Sequence, residues 1–280
     1  MTFDVSKLEG AIAVRRSTRR YTDGVVSADR IEMVRELVSD MPRLRPDIDV
    51  RAFVVEDGDA LRSAMSGLIG SYGKPSSPHF VLVTSAEADG AYENVGFAVE
   101  HAVLGMTALG LGTCWIGGQA TREVFEAAVP DIPADHVPVV VIAFGESPSA
   151  LRKQGQVASR KSMDGIAPEG TGRFSNLLEA ARLAPSAGNT QPSRFFVDGD
   201  RIDAFAEFKT PFIYRLRADH LQLMNRVDVG IAIAHISIAA RAAGWDATID
   251  LTPREHESLT YIASVVVGDE TGNSKRVGLR

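Results

Sequence analysis

Several things are scarce in this 280-residue chain, and each scarcity removes a class of explanation. There is one cysteine, Cys114, so no disulfide can close within the chain; a reducing compartment suits it, with the thiol as a buried bystander. There is no basic excess. Thirty Lys and Arg stand against 36 Asp and Glu, a formal charge of −6, which argues against a nucleic-acid-binding protein and makes any anion site local. No apolar run approaches the ~20 residues that span a bilayer, and no charged leader precedes an apolar stretch at the N-terminus, so a protein without a membrane partner, located in the cytoplasm, is expected. The six histidines show no H-x-x-x-H or H-E-x-x-H spacing. No metal is therefore expected, and His101 and His235, both in apolar stretches, read as hydrogen-bonded core residues.

What the chain does contain is a faint internal duplication. Residues 34–54, VRELVSDMPRLRPDIDVRAFV, lie without a gap on residues 177–197, LLEAARLAPSAGNTQPSRFFV. Glu36 falls on Glu179, Pro42 on Pro185, Arg51 on Arg194, Phe53 on Phe196 and Val54 on Val197. Downstream, FAVEHAVLGMTALG (97–110) matches IAIAHISIAARAAG (231–244), and VPVVVIAFG (137–145) matches TYIASVVVG (260–268). The second copy reaches its last strand about eleven residues sooner, and the segment it lacks is expected to include the counterpart of GTCWIGGQ (112–119).

Hydrophobic residues make up 45% of the chain and charged ones 24%, enough for a substantial core in two compact halves or one intertwined domain. The pattern predicts helices over 7–17 and 28–39, strands near 50–56 and 79–85, and long helices over 92–109 and 228–243. Apolar residues occupy most faces of the first long helix, as burial in the middle of the molecule requires. A first half over 1–150, a Ser-, Gly-, Lys- and Arg-rich crossing linker over 151–173, a shortened second half over 174–268 and a loose tail over 269–280 follow.

Three segments carry chemistry. Arg15-Arg16-Ser17-Thr18-Arg19-Arg20 sets four guanidinium groups and two hydroxyls at the end of a short helix, a good set for phosphate oxygens. A solvated basic turn has the same composition. Gly110-Leu111-Gly112-Thr113-Cys114-Trp115-Ile116-Gly117-Gly118 would let backbone N–H groups approach a flat ligand, although glycine is also the usual residue just past a helix end. It follows a helix rather than a strand and lacks G-x-G-x-x-G spacing, which excludes a Rossmann reading. Pro185-Ser186-Ala187-Gly188-Asn189-Thr190-Gln191-Pro192 offers donors and acceptors suited to the edge of a heterocycle, or forms an ordinary turn.

Together, R-x-S-x-R near the start, GLGTCWIGG after a long helix and APSAGNTQP before a strand resemble the FMN-dependent nitroreductase family, in its internally duplicated subgroup. The resemblance implies an α+β nitroreductase-like fold of two pseudo-symmetric halves with central sheets and long buried helices. It implies FMN, with NAD(P)H as electron donor and a small nitro, quinone or similar molecule as acceptor. In the family two subunits interlock around each flavin; here both would lie in one chain, consistent with a monomer containing an intrachain pseudo-dimer and one flavin. Arg15, Ser17 and Arg19, with Arg16 beside them, would hold the phosphate and ribityl end, and Arg160 and Lys161 would complete the phosphate site. Trp115, Ile116, Gly117 and Gly118 would line one side of the isoalloxazine, with a backbone N–H reaching flavin N5. Pro185, Ser186, Ala187, Asn189 and Gln191 would come from the other half, and Tyr72 and Gly73 would approach the pyrimidine edge. Many relatives have an acidic residue at Gly117 and an aromatic at Ser193, which leaves substrate preference open. The chemistry would belong to the flavin, with no catalytic side chain. A protein that binds, stores or processes flavin without nicotinamide turnover, and a degenerate scaffold without flavin, are the alternatives at this point.

Overall fold

The computed structural model describes residues 4–22, 24–65, 76–117, 121–126, 128–129, 131–153, 156, 158–209, 218–256 and 258–270. In chain order the elements are α1 (Val5–Val14), α2 (Ala28–Ser39), β1 (Val50–Val55), α3 (Asp59–Met65), β2 (His79–Ala86), α4 (Ala91–Ala108), β3 (Gly112–Ile116), α5 (Arg122–Glu126) and β4 (His136–Gly145). They continue with α6 (Ser175–Arg182), β5 (Ser193–Asp198), β6 (Arg201–Ala206), α7 (Ala218–Ala242), β7 (Trp245–Asp250) and β8 (Thr260–Glu270).

Two four-stranded antiparallel sheets result, ordered β1-β2-β4-β3 and β5-β6-β8-β7. Each strand of the first therefore has a counterpart in the same place in the second. The duplication register holds to the residue: β1 and β5 begin at Val50 and Ser193, the pair that the sequence alignment superimposes. One irregularity repeats as well. In the first sheet a bulge falls between Val83 and Thr84, whose partners are Val140 and Pro138; in the second it falls between Ala204 and Phe205, whose partners are Ala263 and Tyr261. The skipped residues, Val139 and Ile262, are equivalent in the alignment of the two strands. Bulges are designed kinks, so their repetition marks one architecture used twice.

Between the sheets lie α4 and α7, which pack against each other more extensively than any other pair of helices. Their sequences are apolar on nearly every face because nearly every face is covered. Two glycines let them touch. A Cβ on Gly96 would lie 2.0 Å from the Val227 carbonyl oxygen, and a Cβ on Gly230 would lie 2.1 Å from that of Glu93. These contacts are equivalent under the duplication, so the two helices cross at matched points. Among the described residues, α7 alone is long and apolar enough to cross a membrane, a run that the hydropathy reading had not expected. Of its apolar window 89% is buried inside the protein, as befits a core helix.

Other boundaries differ from expectation in small ways. The first helix ends at Val14 because Arg15 is extended, with ψ of 135°, and pairs with Leu151 instead. Helix α7 starts ten residues before the expected position, and β8 runs two residues into the expected tail. One difference is larger: the second half does possess the counterpart of β3. Strand β7 follows α7 and pairs with β8 as β3 follows α4 and pairs with β4. What is missing is the connection that carries α5. In the first half α3 and α5 cover the outer face of the sheet around Leu61, Phe80 and Phe125. In the second half the short β7–β8 loop brings His256 onto Phe196 and Phe205, with ring centroids 4.1 and 5.6 Å apart, and covers that face more economically.

The segment after β4 is tied to both halves. Leu151 bridges to Arg15, Arg152 N–H donates to the Val14 carbonyl at 2.6 Å, and Phe195 N–H donates to the Ile166 carbonyl at 2.7 Å.

Candidate functional site

The three motif segments meet where the halves join. After α1, residues 15–19 run alongside β3, with Ser17 bridged to Thr113 and the Thr18 N–H donating to the Thr113 carbonyl at 2.8 Å. This close passage requires Gly112, since a Cβ there would lie 2.8 Å from the Thr18 methyl group. That glycine thus serves chain packing, not a ligand. Facing this wall, α6 ends at Arg182 and the chain makes a short 3-10 turn over Ala187–Asn189. The turn needs positive φ at Gly188, Asn189 and Gln191, at 57°, 58° and 52°. Glycine and asparagine tolerate that region; Gln191 is held there by its N–H donating to Ser186 Oγ at 3.0 Å and by Lys161 N–H donating to its Oε1 at 2.6 Å.

Between these walls lies a cavity of about 120 Å³. Ser17, Arg19, Trp115 and Gly117 come from the first half; Pro185, Ser186, Ala187 and Gly188 come from the second, with Met224, Val227, Asp228 and Ile231 of α7 closing the floor. Its volume is below the roughly 300–1,000 Å³ of drug-sized ligand pockets. Met224 accounts for part of the deficit: a Cβ on Gly117 would lie 2.2 Å from its sulfur. An unbranched thioether side chain of this kind moves readily between rotamers. A wider cleft of about 480 Å³, between Thr22, Glu56, Arg62 and His79, belongs to the first half alone and contains none of the three motifs.

Not every expected residue faces the cavity. Alternation along β3 points Trp115 inward and sends Ile116 to the opposite face, against the smaller core under α3 and α5. Asn189 and Gln191 turn away to brace the basic residues. Arg160 donates to Asn189 Oδ1 at 3.1 Å and to the Leu183 carbonyl at 3.2 Å, and Lys161 Nζ donates to the Gln191 carbonyl at 2.9 Å. Arg16 is half-buried beside Arg152. Gly118, Tyr72 and Gly73 lie outside the described residues.

The electrostatics are lopsided in favour of cations. Arg15, only 3% exposed, places Nε 4.0 Å from Glu100 Oε1, while its Nη1 is buried without a hydrogen-bond partner. Arg160 Nε is likewise buried and unpartnered. Burial, then the neighbouring guanidinium groups of Arg15, Arg152 and Arg182, push the Arg160 pKa down to about 10. Burial lowers that of Arg15 as well, opposed by Glu100. A buried donor left unpaired costs about 1–3 kcal/mol, and an anion among these groups would relieve their mutual repulsion and offer the acceptors that the unpaired donors lack. The residues present therefore fit a phosphate group.

Two acidic residues escaped the sequence reading. Glu100, fully buried in α4, accepts from Trp115 Nε1 at 3.0 Å through one oxygen and lies 2.9 Å from His235 Nε2 through the other. His235 Nδ1 lies 2.8 Å from the Ala180 carbonyl, so this chain of contacts joins both halves. Asp228, on α7, accepts the Ala187 N–H at 3.0 Å with each carboxyl oxygen, and burial holds its pKa well above the usual carboxylate range. An acidic residue set among apolar neighbours in a long helix, as in FAVEHAVL and VDVGIAIA, was the available signal in both cases. As expected, His235 is a hydrogen-bonded core residue; His101 is only half-buried, but it too is hydrogen-bonded, with Nδ1 2.8 Å from the Phe97 carbonyl. No metal-binding cluster occurs among the described residues.

The mirror position is filled by side chains. Leu44 takes the place of Ala187 and is 2% exposed, while Arg45 packs on Gly90, where a Cβ would lie 2.1 Å from its Nε.

A protein-family model described as "Putative TM nitroreductase" matches residues 7–240. Among solved structures, a protein described as a "putative nitroreductase" from Thermotoga maritima MSB8 is 19% identical, with a TM-score of 0.60 over 96% of this chain and 97% of that one. A nitroreductase with bound FMN from Bacteroides fragilis NCTC 9343 is 21% identical, with a TM-score of 0.43 over 56% of this chain and 96% of the other. No curated protein matches. The Thermotoga likeness spans both halves and establishes the fold; the family match, extending from α1 almost to the end of α7, places this chain in the nitroreductase family of oxidoreductases.

Proposed function

We propose that the chain is an FMN-dependent oxidoreductase that takes reducing equivalents from NAD(P)H and passes them to a small nitro, quinone or similar acceptor, with one flavin per chain in the cavity between the halves. The observation that carries this reading is the pair of buried, partnerless donors, Arg15 Nη1 and Arg160 Nε, within a cationic cluster beside a cavity walled by both halves. In this reading Arg15 and Arg160 hold the phosphate, with Arg16, Arg19 and Lys161 nearby. Ser17, Trp115, Gly117, Pro185, Ser186 and Ala187 would flank the ring. Gly118 and the backbone N–H of Ile116 complete that list from the family resemblance, and Asn189 and Gln191 position Arg160 and Lys161. Bound FMN would supply the two-electron chemistry, and the protein the orientation and the exclusion of water.

Met224 must swing from Gly117 for a ring to enter fully. The mirror position, filled by Leu44 and Arg45, would take no second flavin. The two halves would thus act as the two subunits of an intrachain pseudo-dimer.

The test is titration of the purified protein with FMN, followed by stopped-flow mixing with excess NADH or NADPH. Binding of one flavin per chain and bleaching of its absorbance are expected. A flavin that binds and stays unbleached with both nucleotides would leave only flavin storage or processing; no binding would remove the cofactor altogether.

A further inference from the structure

Asp228 has an informative twin. Under the duplication of the long helices it corresponds to Asn94 of α4. Each residue props up the loop that leads into the first strand of its half. Asn94 Oδ1 accepts the Arg45 N–H at 2.9 Å, and its Nδ2 donates to the Ile48 carbonyl at 3.2 Å. Both ends of the amide are engaged, the oxygen as acceptor and the nitrogen as donor, and it sits where the mirror cavity is filled. In the other half, the carboxyl of Asp228 straddles a single N–H, that of Ala187, and nothing else in the described protein hydrogen-bonds or ion-pairs with it. Where the filled half satisfies its carbonyl with an amide N–H, the open half turns a carboxyl edge toward the cavity.

An ionised carboxylate offers about four acceptor positions and is seldom buried against one donor alone. The charged groups around Asp228 do not remedy this. Arg19 lines the far wall of the cavity and is exposed. Arg182 of α6 lines a small adjoining void but is committed to Glu179 through two bonds of 2.6 Å. On α7 itself Arg226 pairs with Glu93 of α4 at 3.3 Å, and His235 is held by Glu100. A neutral carboxyl resolves the conflict: one oxygen accepts from Ala187, and the other carries a proton that can be offered into the unfilled space Asp228 lines, the cavity and the small void beside it.

We propose that Asp228 works as a neutral carboxylic acid that donates an O–H hydrogen bond to an acceptor atom of the flat heterocycle occupying the cavity, and so selects rings that present a carbonyl or unprotonated nitrogen there. This rests on the flavin reading of the cavity. It is consistent with the upward displacement of the Asp228 pKa by burial. The sign follows: the proton is retained at low pH, and the donor is lost as pH rises through the folded-state value, which lies above that of the unfolded chain.

The experiment compares FMN affinity of the wild type and Asp228→Asn by fluorescence titration from about pH 5 to pH 9. Asparagine keeps one acceptor for Ala187 and one donor for the ring, and Asn94 shows that the fold houses it at this place. The ratio of the two affinities cancels the titration of FMN itself. Near pH 5 the ratio should lie within about threefold of one. Above the Asp228 pKa the wild type should weaken by up to tenfold per pH unit relative to the variant. An Asn variant more than tenfold weaker at pH 5 overturns the proposal, and so does a ratio that stays constant across a range in which the Asp228 carboxyl, followed by its infrared carbonyl stretch, loses its proton. Infrared spectroscopy supplies a readout independent of flavin. The protein alone at neutral pH should show the carbonyl stretch of a protonated carboxylic acid, and Asp228→Asn should lack it. If FMN fails to bind either protein while that band is present, the flavin reading falls and the neutral carboxyl stands; if FMN binds and the band is absent, the reverse holds.

Discussion

Adding one methyl group at the helix crossing should be costly out of proportion to its size. In Gly96→Ala the new Cβ would meet the Val227 carbonyl oxygen at 2.0 Å, against at least 3.4 Å for ordinary contact, so α4 and α7 must separate by about 1.4 Å. The obstacle is main chain, which cannot rotate away. Forced separation in a well-packed core costs about 1–3 kcal/mol or more, because a gap of even 0.5–1 Å forfeits a quarter to a half of each dispersion contact. Alanine recovers about 1 kcal/mol of helix propensity relative to glycine. With the clash at the upper end, a net loss of about 2 kcal/mol is expected for Gly96→Ala and the same for Gly230→Ala, whose Cβ would stand 2.1 Å from the Glu93 oxygen.

One displacement relieves both contacts, so the double variant should cost about 1 kcal/mol less than the sum of the singles. Gly10→Ala is the control. It lies in α1 with nothing within 4 Å of the added Cβ, and it should be neutral or stabilising by up to about 1 kcal/mol. Urea denaturation of the four variants measures all of this. Singles as benign as Gly10→Ala, or a strictly additive double, would falsify the matched-crossing account.

Two further outcomes are expected. Burial, reinforced by Arg241 and His235 and opposed by the Phe97 carbonyl and Glu100, lowers the His101 pKa from 6.5 to about 4. The native state therefore resists protonation that the unfolded chain accepts: stability is complete above about pH 6.5 and declines as pH falls toward 4, by at most about 3 kcal/mol and less because the ring is partly exposed. His101→Gln should flatten that acid limb in urea midpoints taken at successive pH values; an unchanged slope assigns the decline to other groups. Arg160→Ala should weaken FMN binding by about 10- to 100-fold, the equivalent of a charge-assisted hydrogen bond, while Arg45→Ala, on the filled mirror side, should leave it unaltered. Equal losses in the two variants would detach the phosphate from the Arg160 cluster.

The features legible in the sequence are those that depend on short-range pattern. Apolar stretches such as VPVVVIAFG can only be central strands or buried helices, and the alignment of Val50 with Ser193 located both first strands. The convergence of the Arg15–Arg20, Trp115–Gly117 and Pro185–Gln191 segments was legible through family resemblance, not through periodicity. What remained hidden depends on partners distant in the chain. Strand β7, WDATID, has weak alternation and forms because β8 offers it an edge. Glu100 and Asp228 looked like isolated acids until Trp115, His235 and Ala187 supplied their partners. Ile116 shows a different limit: strand geometry sends alternate side chains to opposite faces, so consecutive motif residues do not present one surface.

The joining of both cavity walls in one polypeptide bears on how the site responds to scarcity. A pocket shared by separable subunits empties when the protein is dilute, since each wall must first find the other. Here the segment tied to Arg15 at one end and to Phe195 at the other keeps the walls at a fixed effective concentration, whatever the number of copies in the cell. The same linkage frees each wall to mutate alone. A change at Ala187 is not copied at Leu44, so one half can be filled in and made rigid while the other stays open.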